Sequence, residues 1–177
     1  FLSPSQQFYL SMSVSLSIVH FLNKYIDQVS IKWPNDIYVG EKKICGILIE
    51  NSVDTEKIIH SIVGVGLNVN QETFSQNLQN PTSMIIETGR KLSLSELKNE
   101  LFETFEYFYN KLENKEIQVI KEMYLFNLYR KGIWSYYSEN ECVFKGKIST
   151  VDEFGKLIVE NEQGNLLSFA FKEIKYV

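Results

Sequence analysis

Lys32-Trp33-Pro34-Asn35-Asp36 joins two apolar segments, and Lys42-Lys43-Ile44-Cys45-Gly46-Ile47-Leu48-Ile49-Glu50 follows shortly after it. The first lysine ends an apolar strand. Pro34 removes a backbone donor, and the Asn-Asp pair bonds to nearby backbone, so the strand stops and the chain turns. The second segment opens with two lysines and carries one glycine among branched residues. A third strand, Ile58 to Asn70, contains Gly64-Val65-Gly66-Leu67-Asn68-Val69. Cations at strand ends, beside glycines that admit close backbone approach, fit a site for an anionic small molecule.

Outward from this centre the periodicities assign the remaining elements. Pro4 and Ser5 open a helix in which Leu10, Val14, Ile18, Phe21, Leu22 and Tyr25 form one apolar stripe, with small serines for close packing. Val29–Trp33 reads as a short strand, and Gly40-Glu41 as the tight turn of a hairpin. Ile44–Asn51 and Ile58–Asn70 are strands separated by a turn at Asp54-Thr55-Glu56. Thr82 reads as the N-cap of a short helix ending at Gly89. Its helix N-terminus also suits an anion, as does that of Ser83, with plain capping preferred. Ser93-Leu94-Ser95-Glu96 is a capping-box pattern that opens a helix, and a second helix runs from about Glu116 to Arg130. After Gly132 the period changes to two. Glu141–Gly146, Lys147–Asp152, Lys156–Glu160 and Leu166–Phe171 read as short strands of a small SH3-like barrel. The expected domains are therefore residues 1–131 and 132–177. The aromatic stretch Tyr124 to Tyr137 reads as helix core followed by a domain seam.

Composition narrows the classes. A chain of 177 residues, 44% hydrophobic, is long enough for one sound core and a small second module. Net charge −4 with scattered lysines argues against a general nucleic-acid binder. No apolar run approaches the roughly 20 residues that span a bilayer. Cys45 and Cys142 are isolated and, with His20 and His60, show no metal-ligand spacing, so no protein-bound metal is expected. There is no Walker A pattern, and Gly64-Val65-Gly66 lacks the third glycine and helix of a dinucleotide-binding fingerprint.

The strings Lys32-Trp-Pro-Asn-Asp36, Lys43-x-x-Gly46-Ile-Leu-x-Glu50 and Gly64-x-Gly66-x-Asn68-Val69, in this order, resemble the biotin–protein ligase (holocarboxylase synthetase) family. Pro81-Thr82-Ser83-Met84 resembles that family's next landmark, and the tail resembles its small C-terminal domain. The resemblance implies an α/β (α+β) fold, with a mixed sheet backed by helices and then an SH3-like β-barrel. It implies ATP-dependent activation of biotin to biotinyl-5'-AMP, transfer to a lysine of a biotin carboxyl carrier domain, Mg²⁺ accompanying ATP, a cytoplasmic setting and a homodimer formed through the catalytic sheet.

The resemblance also implies roles for single residues. Lys32 is expected to be catalytic, its ammonium offsetting charge on the carboxyl and phosphate oxygens. Trp33, Pro34, Asn35 and Asp36 shape the turn that aims it. Lys43, Gly46, Ile47, Gly64, Gly66 and Asn68 are expected with Lys32 around biotin or the adenylate. Lys43 contacts phosphate oxygens or simply begins a strand in solvent. Gly46 allows ligand approach or close helix–sheet packing. Asn68 matches the donor and acceptor of the adenine edge, or ends a strand in a turn.

The sequence departs from that family in one respect. Neither the Gly/Arg-rich loop that closes over biotin nor the Ser-Thr-Asn-type segment before it is found here, and there is no starting Met. This reads as the C-terminal two-thirds of a ligase. Two alternatives therefore stand beside biotin ligation: a lipoate–protein ligase, and an incomplete fragment that binds adenylate or carrier protein without turnover. An N-terminal DNA-binding domain is undecided.

Overall fold

The computed structural model describes residues 2–177. A single 3-10 turn, Pro4–Gln6, leads into helix α1, Gln7–Leu22. The single stripe expected of α1 is too narrow. Ser13, Ser15 and Ser17 are buried along with Met12, Val14, Leu16, Ile18, Phe21 and Leu22. Ser13 and Ser17 satisfy their hydroxyls on the carbonyls of Tyr9 and Ser13, one turn back, so both can face neighbouring elements without an unpaired polar atom. A helix buried on nearly all sides in this way is a core helix.

Four strands follow: β1 (Val29–Lys32), β2 (Asp36–Val39), β3 (Lys42–Val53) and β4 (Ile58–Leu67). They pair in chain order through antiparallel ladders. The sheet is thus antiparallel throughout, and isolated parallel bridges, Ile31–Leu128 and Lys43–Pro81, tie segments outside it to its strands. Gly40, at φ +57°, and Glu41 form the expected two-residue turn. One face is core: Ile31, Ile37 and Cys45 are register neighbours and all are buried. The row next to it, on the opposite face, runs Lys32–Asp36–Gly46–Gly66 across all four strands.

Helices α2 (Met84–Thr88), α3 (Leu94–Glu113) and α4 (Ile117–Phe126) complete the first layer. The N-cap of α2 is Ser83 rather than Thr82: the Ser83 hydroxyl accepts from the Ile86 amide. Thr82 turns instead to Glu87. At α3 the capping box is not made, since Ser93 pairs with the Ser95 hydroxyl. The last helix ends before Arg130. Asn127 caps it by donating to the Met123 carbonyl, and Leu128 then leaves to bridge β1.

The C-terminal sheet comprises β5 (Trp134–Glu139), β6 (Cys142–Val151), β7 (Leu157–Asn161), β8 (Leu166–Phe169) and β9 (Lys175–Tyr176), in the order β8-β7-β6-β5-β9. This architecture is compatible with a small SH3-like barrel. Part of the stretch read as helix core and seam is strand β5. The two strands expected on either side of Gly146 are one, β6. A Cβ at Gly146 would lie 2.6 Å from the Val159 side chain, so this glycine serves close strand packing rather than a turn.

The two sheets are fastened together at several points. The Trp33 indole N–H donates to the Gly155 carbonyl at 2.9 Å, and the Gly132 amide donates to the Ile148 carbonyl at 3.0 Å. Elsewhere, α1, α3 and β4 enclose an open apolar cleft of about 910 Å³, lined by Leu10, Val14, Val63, Leu101 and Phe105 among others. No helix among the described residues is long and apolar enough to cross a membrane.

Candidate functional site

A recess of about 460 Å³ opens on the glycine face of the first sheet. Asp36, Tyr38, Lys43, Gly46, Gly66 and Asn68 line it from the sheet, and Leu78, Gln79 and Pro81 close it from the loop before α2. Lys43 is the cation on its wall. The backbone of Lys43 is clamped on both sides, its amide donating to the Asn80 carbonyl and its carbonyl accepting from the Thr82 amide, each at 2.8 Å. A rigid base for a flexible stem fixes where the ammonium can reach. Its Nζ lies 2.6 Å from Asp36 Oδ1, with the Lys43 side chain 41% exposed and that of Asp36 26%.

The floor is backbone. Gly46 and Gly66 are direct cross-strand partners, and Gly64 faces Leu48 on the same ladder. A Cβ at Gly64 or Gly66 would meet no atom nearer than 3.6 Å, and at Gly46 none nearer than 3.4 Å. None of the three sits at positive φ. Neither packing nor backbone conformation therefore demands glycine here. The effect of all three is a flat strip open to a ligand.

Lys32 stands beside this recess rather than on its wall. Its Nζ donates to the Tyr38 hydroxyl at 3.0 Å and lies 4.6 Å and 4.8 Å from the ring centres of Tyr38 and Tyr176. Tyr38 links the two places, since it also lines the recess. The turn after Lys32 is held by Asn35, whose side chain donates to the Ile47 carbonyl at 2.7 Å and whose own carbonyl accepts from the Ile47 amide at 2.9 Å. Both backbone groups of Ile47 are thus occupied, and its side chain is in the core, away from the recess. The bond between Trp33 and Pro34 is cis.

Asn68 reaches the recess with half of its amide engaged: Nδ2 donates to the Thr82 carbonyl at 2.9 Å. Oδ1 remains to accept. Cys45 lies beneath, with burial pushing its thiol up to about 12. Among the described residues no group of three or more His, Cys, Asp or Glu could hold a metal ion.

Sequence reasoning missed the tyrosines. Tyr38 was detectable, since it lies two residues beyond Asp36 on a strand and so shares its face. Tyr176 was not, because its nearness to Lys32 depends on the docking of a remote strand.

The description "Biotin/lipoate A/B protein ligase family" fits residues 1–68, and these include the whole row Lys32–Asp36–Gly46–Gly66. The chain is 31% identical over 142 residues, 77% of its length, to the bifunctional ligase/repressor BirA of Bacillus spizizenii. It is 30% identical over 149 residues to the chloroplastic biotin–protein ligase 1 of Arabidopsis thaliana. The chain is related to the biotin–protein ligases. Among solved structures, the apo biotin protein ligase of Aquifex aeolicus matches 99% of the chain at a TM-score of 0.79 and 24% identity, with 79% of that protein covered. A mutant of the same ligase in complex with biotin matches at 0.78 and 25%, with 75% of that protein covered. The matched part spans 43% of the Bacillus ligase/repressor and 38% of the Arabidopsis ligase, well under half of each.

Proposed function

We propose that this chain carries the activation site of a biotin–protein ligase. A biotin carboxylate oxygen attacks the α-phosphorus of ATP, the bond to pyrophosphate breaks, and biotinyl-5'-AMP forms. A lysine amine of a biotin carboxyl carrier domain then attacks the acyl carbon, forming an amide and releasing AMP with loss of a proton. Mg²⁺ enters with the triphosphate as part of the substrate. The division into a catalytic part, 1–131, and an SH3-like part, 132–177, belongs to the same proposal.

The observation that carries this reading is Lys43, a clamped cation at a glycine-floored recess. Both steps gather negative charge at carboxyl and phosphate oxygens, and a fixed ammonium there stabilises that charge more in the transition state than in the ground state. The sequence favours Lys32 for the leading role; this reading gives it to Lys43, the lysine on the recess wall. Lys32 is committed to Tyr38 and is a supporting cation. Gly46 and Gly66 accept the flat adenylate, and Asn68 offers Oδ1 to a donor such as the adenine amine. Ile47 acts by holding the turn through Asn35 rather than by touching ligand.

Calorimetric titration with a non-hydrolysable biotinyl-adenylate analogue tests this. Binding is expected, with Lys43→Ala weakening it more than Lys32→Ala. A folded chain that does not bind, or that binds equally in both variants, overturns the reading. The family description spans biotin and lipoate alike, so the lipoyl-adenylate analogue is the second arm. Tighter binding of that analogue assigns the site to lipoate.

A further inference from the structure

Lys32 meets the far C-terminal strand through the ring of Tyr176. Tyr176 is the penultimate residue, on β9, and pairs with Tyr137 of β5. Its ring is packed edge-on to Tyr137 at 5.4 Å and against Tyr129 at 6.1 Å, and Tyr129 in turn packs against Tyr38 at 5.5 Å. The Tyr176 hydroxyl is buried with no hydrogen-bond partner among the described residues. A buried hydroxyl without a partner is unfavourable by comparison with a phenyl ring, so nothing in its own packing calls for tyrosine. What the ring does reach is the Lys32 ammonium, at 4.8 Å.

No carboxylate lies within ion-pairing distance of Lys32 among the described residues. An ammonium set among tyrosines is held by one hydrogen bond and by the negative faces of the rings. The Tyr38 hydroxyl supplies the bond and Tyr176 supplies a ring from the other sheet. Take away the Tyr176 ring, and Lys32 loses the wall that confines it. The donor that orients the phenol of Tyr38, which lines the recess, is then no longer held in place.

We propose that Tyr176 is a positioning residue for the recess: its ring confines the Lys32 ammonium against Tyr38, so that the C-terminal sheet fixes one wall of the adenylate site. This rests on the reading of the recess as that site. Arg130 braces the same corner, donating to the Val177 carbonyl at 3.3 Å and to the Tyr129 hydroxyl at 3.0 Å.

The test uses the whole chain and the biotinyl-adenylate analogue. Tyr176→Phe keeps the ring and is expected to bind within about twofold of the parent. Tyr176→Met keeps buried bulk and removes the ring, and should weaken binding by roughly threefold to thirtyfold, the range of a partly desolvated cation–π contact. Tyr176→Leu serves as a second ring-free variant should Met fold poorly. In a Lys32→Ala background the same change should have no further effect. In parallel, the ¹H–¹³C signal of the Lys32 ε-methylene, assigned by its loss in Lys32→Ala, should shift in Tyr176→Met and stay in place in Tyr176→Phe. A purely structural role would lower the melting temperature without this Phe rescue or this dependence on Lys32. An unmoved Lys32 signal, or equal loss with and without Lys32, overturns the proposal. Unchanged binding in Lys43→Ala overturns the functional reading itself, and loss in Lys43→Ala with none in Tyr176→Met overturns only the positioning role.

Discussion

Lys32 and Asp36 are direct cross-strand partners, yet Asp36 gives its carboxylate to Lys43, one strand further on, at 2.6 Å. One side chain therefore orients the cation at the recess and leaves its nearest lysine to the tyrosines. Lys43→Ala should slow adenylate formation by about 10²-fold or more, the loss expected when a preorganised charge is removed from a developing anion. The melting temperature should barely change, because a partly exposed ion pair contributes only about 0–1 kcal/mol. Pyrophosphate exchange and a thermal scan on the same sample check both halves.

Gly66→Val separates site from scaffold. There is room for the Cβ and no positive φ to satisfy, and a β-branched residue suits a strand. Stability should hold or rise by about 0.5–1 kcal/mol, while analogue binding falls at least tenfold as the side chain fills the recess floor. A variant that is both stable and fully binding would remove the glycine strip from the site.

Gly155 is constrained in the opposite way. It lies at φ +86°, and a Cβ there would sit 2.5 Å from the Phe8 ring. Gly155→Ala should cost more than about 1 kcal/mol in a denaturant titration. Trp33→Phe removes the indole donor to the Gly155 carbonyl together with part of a buried ring, and should cost more than the about 0.5–1.5 kcal/mol of the hydrogen bond alone.

The two cysteines should react differently. Cys142 is exposed, and Cys45 is buried with its thiol pushed up to about 12 from 9.0, chiefly by desolvation. At pH 8 an alkylating reagent should label one thiol in the native chain and two after unfolding, as read by intact mass. The folded state keeps the Cys45 proton that the unfolded chain releases above about pH 9. Its contribution to stability is therefore complete below that pH and is lost as pH climbs from about 9 toward 12. Chemical denaturation across that window should show a falling slope that Cys45→Ala reduces.

How much the sequence revealed depended on the range of the signal. Strand period, the Gly40-Glu41 turn and the Gly89 stop are local, and the fold follows them closely. Gly146 misled because a glycine in a strand has two readings, turn or close approach, and only the neighbouring strand decides between them. The end of α4 misled for a similar reason: Leu128 satisfies helix period but is claimed by β1. At the site, Lys32 and Lys43 look alike in sequence. What separates them is which ammonium lies at the recess and which is taken up by aromatic rings, and that is a matter of tertiary packing. Tyr176 lies 144 positions from Lys32, and no periodicity spans that distance.

The Trp33–Gly155 hydrogen bond has a consequence for how such chains can be recombined. Because the lysine-bearing turn leans on a backbone carbonyl of the other sheet, the two sheets cannot be exchanged freely between relatives. A chimaera keeps this tie only if the incoming C-terminal segment brings a carbonyl at the same height. Swapping the tail alone would leave the Trp33 indole without its acceptor.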